Sequence, residues 1–135
     1  MTLVDTNALI DVATDDPTWA DWSQRNLEQA SLRGPLLINE IVYAELSVGF
    51  DRVEELDTFL EGAGIDMHYL PTPALFLAGK AFAQYRRSGG TRSSILADFF
   101  VGAHAVVSRL PLLTRDARKY QTYFPGIELI VPPRG

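Results

Sequence analysis

Four acidic residues stand where a carboxylate is hardest to accommodate. Asp5 directly follows Met1-Thr2-Leu3-Val4, Glu45 lies inside Val42-Tyr43-Ala44-Glu45-Leu46, Asp98 lies inside Ile95-Leu96-Ala97-Asp98-Phe99-Phe100-Val101, and Asp116 follows Leu112-Leu113-Thr114-Arg115. Burying an ionised carboxylate costs several kcal/mol unless it is paired or coordinates a metal. Crowding them is worse: at about 5 Å and an effective dielectric of about 20, each pair repels by roughly 3 kcal/mol. Any one of the four, taken singly, reads as a helix cap or a structural ion pair. Together, at strand ends and on inner helix faces, they read as one site for a hard divalent cation. Oxygen ligands, no cysteine and only His68 and His104 point to magnesium or manganese rather than zinc.

The elements that must position these acids alternate between short apolar runs and amphipathic stretches. Leu3-Val4-Asp5 is expected as a first strand and Asn7 to Val12 as the start of a helix capped by Thr6 or Asn7. Pro17 suits the first turn of a second helix carrying Trp19, Trp22, Leu27 and Ala30, which Gly34-Pro35 ends. Leu36-Leu37-Ile38 is a buried strand, Asn39 caps a helix from Glu40 to Phe50, and Asp51 caps another with the stripe Val53, Leu56, Phe59 and Leu60. Ile65 to Leu70 forms a strand, Thr72-Pro73 opens a helix to about Arg87, and Ser88-Gly89-Gly90 breaks it. Ser93 or Ser94 caps an apolar helix to about Arg109. Leu112 to Thr114 and Ile127 to Val131 are the last strands, with a short helical turn around Ala117 to Tyr120. This order predicts an α/β fold with three α/β/α layers and a mostly parallel central sheet. With no linker or repeat, residues 1–135 are expected to form a single domain.

On this layout Glu45 sits among Ile41, Val42, Val48 and Gly49, in the middle of its helix's apolar stripe. Glu40 simply favours the positive end of the same helix. Asp98 is the one acid of a helix otherwise made of Phe99, Phe100, Val101, Ala103, Ala105, Val106 and Val107.

Length and composition bound the rest. At 135 residues and 47% apolar content, the chain is long enough for one core without staples. The absence of cysteine excludes disulfides, thiolate zinc sites and thiol nucleophiles. No run approaches the roughly 20 apolar residues of a membrane span, and the start lacks signal-peptide order, so a cytoplasmic location is expected. The net charge of −5 is unevenly spread: residues 1 to 66 carry 14 acids against 3 bases, and residues 67 to 135 carry 9 bases against 3 acids. Such a map permits phosphate contact despite an acidic total.

Read together, Leu3-Val4-Asp5-Thr6-Asn7, Tyr43-Ala44-Glu45-Leu46, Asp98 with its apolar helix, and Leu113-Thr114-Arg115-Asp116 resemble the PIN domain, and within it the VapC toxins of bacterial toxin-antitoxin modules. The late run Thr114-Arg115-Asp116-Ala117-Arg118-Lys119-Tyr120, followed by Tyr123-Phe124-Pro125-Gly126-Ile127, is similar to that group as well. The resemblance implies a magnesium- or manganese-dependent endoribonuclease acting on structured RNA and silenced by a VapB-like antitoxin. Carried over by position, Asp5, Glu45, Asp98 and Asp116 are the catalytic, metal-holding acids, and Asn7 and Thr114 support them through hydrogen bonds. It further implies a homodimer and a groove near the site that takes the antitoxin.

Around this site Arg86, Arg87, Arg92, Arg115, Arg118 and Lys119 are the candidates to meet an RNA backbone. Tyr85, Tyr120 and Tyr123 are expected as core or interface packing before base stacking, and His104 as a packed histidine. Asp11 is expected as a solvated helix acid, and Asp15 and Asp16 as loop charges. Two other enzyme readings fare poorly. A phosphatase forming an aspartyl-phosphate wants a second acid two positions after Asp5 as proton donor, where this chain has Asn7. A Rossmann nucleotide-binding domain lacks its glycine fingerprint. The stronger rival is a non-catalytic PIN-like module that binds RNA or protein.

Overall fold

A computed structural model describes residues 1–133; residues 134 and 135, which close the expected 1–135 span, lie outside the described residues. The chain runs β1 (Thr2–Val4), α1 (Thr6–Ala13), α2 (Ala20–Ser31), β2 (Leu36–Ile38), α3 (Glu40–Ser47), α4 (Val53–Gly62) and β3 (Ile65–Met67). It continues through α5 (Thr72–Arg87), α6 (Ile95–Ser108), β4 (Leu112–Leu113), α7 (Arg118–Tyr123) and β5 (Leu129–Ile130). Leu3, Val4, Leu36, Leu37, Ile38, Leu112 and Leu113 are all buried, as expected where helices cover both faces of a sheet.

The sheet order is β3-β2-β1-β4-β5. Every pairing is parallel; Leu3 stands opposite Leu37 on one side and Leu112 on the other. The chain therefore builds outward from β1 to β3, crosses back, and resumes on the far side of β1 with β4. In such sheets the reversal between neighbouring strands leaves a crevice outside their carboxyl ends. Here that crevice falls between β1 and β4, followed in sequence by Asp5 and by Thr114 to Asp116.

Several local expectations are corrected. The cap of α1 is Asp5, whose Oδ1 accepts from the Thr6 amide at 2.9 Å, so the helix begins at Thr6. Pro17 lies ahead of α2 in a turn where Asp16 Oδ1 accepts from the amides of Thr18 and Trp19. Asp51 does not cap α4: the cap position is Arg52, without a side-chain bond, and Ser94 at the start of α6 likewise makes none. Helix α3 stops at Ser47 rather than Phe50, and β3 ends at Met67 rather than Leu70. The turn expected near Ala117 is a full helix to Tyr123, and the last strand shrinks to Leu129–Ile130. Asn39 caps α3 as expected, accepting from the Val42 amide at 3.0 Å.

Close packing brings α7 to the site. A Cβ at Gly102 of α6 would lie 2.6 Å from the Phe124 ring and 3.0 Å from the Tyr120 ring, so only glycine lets these aromatics seat there. Among the described residues no helix is long and apolar enough to cross a membrane.

Candidate active site

Asp5 is the most constrained of the four acids. It is buried, and its Oδ1 takes the Thr6 amide while its Oδ2 accepts from the Thr114 hydroxyl and the Tyr120 hydroxyl, both at 2.8 Å. Three donors on one carboxylate fix its rotation and offset much of its desolvation. Thr114 is equally committed. Its single O–H goes to Asp5, and its oxygen accepts from Asn7 Nδ2 at 3.2 Å and from the Asp116 amide at 3.1 Å, which uses the full capacity of a hydroxyl. Asn7 Oδ1 accepts from the Arg115 amide at 3.1 Å. Asn7 thereby ties α1 to the β4–α7 connection.

Glu45 reaches the same region from α3, where its Oε1 accepts from the Thr6 hydroxyl at 2.6 Å. Burial pushes its carboxyl up; the Thr6 bond opposes this, and the charges of Asp5 and Asp98 add to it. Asp98, in the first turn of α6, is also pushed up, first by burial and further by Asp5 and Asp116, with Lys119 opposing. Glu45 thus feels the charges of Asp5 and Asp98, and Asp98 those of Asp5 and Asp116, so the four acids stand around one region. Asp116 is the outermost, with its side chain 52% exposed.

Lys119 sits inside this group. Its Nζ lies 3.1 Å from Asp98 Oδ2 and 3.3 Å from Asp116 Oδ2. Burial alone would lower its pKa, but Asp98, Asp5 and Asp116 outweigh that and raise it, so it stays an ammonium. The donor set is chemically right for a hard cation: four carboxylates and no sulfur. In arrangement, no three acids among the described residues are gathered closely enough to share an ion as they stand. The positive charge beside Asp98 and Asp116 is the chain's own.

Sequence reasoning missed three features here. Tyr120 is fully buried, as expected of a packing aromatic, yet its hydroxyl is aimed at Asp5; burial and then the Asp5 and Asp98 charges hold its pKa well above the phenolic range. Asp11 is not solvated but buried: Arg115 Nε and Nη2 bond its two oxygens at 2.6 and 2.9 Å, and the Ser23 hydroxyl adds a third bond at 2.9 Å. Arg115 also lies over the Trp19 ring, 5.2 Å from its centroid. Of the six basic candidates, Arg115 and Lys119 are therefore engaged within the protein, whereas Arg86, Arg87, Arg92 and Arg118 are exposed. No signal in the sequence joins Asp11 to Arg115, or Tyr120 to an acid 115 positions before it.

Tyr85 and Tyr123 pack with Phe99, the Tyr123 and Phe99 rings 4.9 Å apart. His104 is buried; its Nδ1 is 3.1 Å from Asn39 Nδ2 and its Nε2 is 2.8 Å from His68 Nδ1. Burial and the neighbouring His68 lower its pKa to about 4, with Glu40 opposing.

A doubly wound parallel sheet with acids gathered at its switch point defines a class of α/β proteins to which many hydrolases belong. The comparison with family models is specific: the PIN domain matches residues 2–125, and the chain belongs to that family. PIN domains are generally nucleases. The fold is similar to a chain of VapBC2 from Rickettsia felis, solved bound to a DNA fragment from their promoter, at a TM-score of 0.75 and 19% identity over 98% of both chains. It is also similar to VapBC-1 from nontypeable Haemophilus influenzae, at a TM-score of 0.72 and 17% identity over 96% of each chain. DNA-bound VapBC from Salmonella typhimurium gives 0.68 and 22%, over 97% of this chain and 98% of that one. No curated protein matches the sequence significantly.

Proposed function

We propose that this chain is a metal-dependent endoribonuclease of the VapC type, hydrolysing phosphodiester bonds in structured RNA and held inactive by a VapB-like antitoxin. The observation that carries the reading is the convergence of Asp5, Glu45, Asp98 and Asp116 from four separate elements on the β1–β4 crevice, with Asp5 locked by Thr114 and Tyr120. A structural ion pair would need only one acid there. Asp5, Glu45, Asp98 and Asp116 would hold magnesium or manganese, which supplies a polarised phosphate and a more acidic bound water. Thr114 and Tyr120 keep the Asp5 carboxylate from turning, Thr6 fixes Glu45, and Asn7 holds the connection that carries Asp116. The exposed Arg86, Arg87, Arg92 and Arg118 are the groups left to attract an RNA backbone.

Beside Glu45 runs a mostly apolar groove of about 540 Å³, lined by Ile10, Ala13, Leu46, Val48 and Phe50. Val48 is 89% exposed and Ile10 40%. A groove of this kind suits an amphipathic segment, and its position next to an active-site acid suits an inhibitor. We assign it to the antitoxin, and we expect the chain to act as a homodimer.

The test is cleavage of RNA with and without metal. The wild-type chain should cut only with magnesium or manganese, and Asp5→Asn or Asp98→Asn should abolish cutting while the circular dichroism spectrum is retained. Full activity in excess EDTA, or in either variant, removes the metal-nuclease reading. Tight RNA binding without turnover at any metal concentration would favour the non-catalytic module instead.

A further inference from the structure

Among the described residues, one cation of the chain, Lys119, sits inside the acid cluster. We infer that Lys119 is a resident counter-ion of the acid cluster, which a divalent cation must displace to be bound. This inference rests on the metal-site reading above and says how that site is regulated. Lys119 Nζ bridges Asp98 and Asp116 at 3.1 and 3.3 Å, from a side chain only 18% exposed. Two acids so bridged are turned toward the ammonium, and no three acids among the described residues close around a shared point. Asp98 Oδ2 and Asp116 Oδ2 cannot serve Lys119 and a metal at once.

The charge balance favours exchange. Four carboxylates against one ammonium leave a strongly negative cluster, and a divalent ion neutralises twice as much charge as Lys119 in the same space. Once displaced, the lysine has a flexible four-carbon stem and a well-hydrated head, so it can turn outward at little cost. Without metal the ammonium keeps the acids from repelling one another and keeps the site shut. With metal it becomes a mobile positive charge at the mouth of the crevice.

The experiment uses the fact that Lys80 and Lys119 are the only lysines in the chain. Lysine labelled with carbon-13 at Cε gives two resonances, and Lys80, which is exposed and lies over Phe76, is the internal reference. Titration with magnesium should move the Lys119 resonance to the position of a solvated lysine while Lys80 stays still. In parallel, Lys119→Met should bind manganese at least tenfold more tightly than the wild-type chain, measured by calorimetry. A Lys119 resonance unmoved at saturating magnesium, or a Lys119→Met chain that binds manganese no better, overturns the inference and leaves the metal site standing. If the wild-type chain binds no manganese but Lys119→Met does, the lysine excludes the ion instead of yielding to it, and the inference falls while the acids remain competent to hold metal. If neither binds it, the metal-site reading falls and takes this inference with it.

Discussion

The bond between Asp11 and Arg115 predicts an asymmetry that a simple count of lost contacts does not. Asp11 has a side chain 2% exposed, whereas that of Arg115 is 29% exposed and rests on Trp19. Arg115→Met keeps most of the apolar stem but removes both guanidinium bonds, leaving a buried carboxylate with only the Ser23 hydroxyl. Stranding a buried charge in this way costs about 3–5 kcal/mol. Asp11→Ala strands the arginine instead, which already reaches solvent and loses only hydrogen bonds to a charged partner, about 1.5–3 kcal/mol. At about 3 °C per kcal/mol for a chain of this size, Arg115→Met should lower the melting temperature by about 9–15 °C and Asp11→Ala by about 5–9 °C. The double variant should melt close to Asp11→Ala, because removing the carboxylate removes the stranded charge. Thermal and urea melts of the four chains decide it. If Asp11→Ala proves as damaging as Arg115→Met, or the two losses simply add, the pair is not a buried carboxylate neutralised by an accessible arginine.

Three further outcomes are expected. Tyr120→Phe removes one of the three donors to Asp5 while keeping the ring seated against Gly102; metal-free stability should fall by about 1.5–3 kcal/mol in urea melts, and an unchanged midpoint would show that the hydroxyl does not support Asp5. His104 has a folded pKa of about 4 against an ordinary 6.5, so as pH falls the unfolded chain takes up a proton first and stability is lost between pH 6.5 and 4. That loss is on the order of 3 kcal/mol. Glu45 and Asp98, with raised pKa values, act in the opposite sense, since their stabilisation is lost as pH rises. The measurement is therefore the difference between wild type and His104→Gln across that window, and parallel curves would refute it. Reversing Arg86 and Arg87 to glutamate should weaken RNA binding and flatten its salt dependence, and identical salt slopes would return both to plain surface.

The acids were legible in sequence because their placement violates a strong local rule. Asp5, Glu45 and Asp98 interrupt apolar runs, and a carboxylate in such a run demands a partner whatever the tertiary fold. Asn39 and the α/β alternation were legible for the same reason, since capping and periodicity act over a few residues. Asp11 was not: it looks like an ordinary helix acid, and the guanidinium that draws it inward comes from 104 positions away. Arg115 and Lys119 were misplaced for the matching reason, because a basic residue gives no local sign of whether it meets water, nucleic acid or an acid of its own chain. Asp51 and Ser94 failed as caps where a neighbouring residue took the cap position or the hydroxyl made no bond.

Two of these misplaced residues, Arg115 and Lys119, fall on one short stretch. Helix α7 and the turn before it supply Thr114, Arg115, Asp116, Lys119 and Tyr120, yet the helix has six residues and no side-chain cap. A helix of that length is not stable alone, so its conformation comes from what it touches: Phe124 and Tyr120 against Gly102, Arg115 on Asp11, Thr114 on Asn7 and Asp5, Lys119 on Asp98. Three of these contacts involve residues of the acid cluster or their direct supports. The contacts that hold α7 in place are therefore largely those that hold the acid cluster. If an ion is bound as proposed and draws Asp98 away from Lys119, it removes one of the contacts that hold the helix, and loading the site would then be coupled to the position of α7.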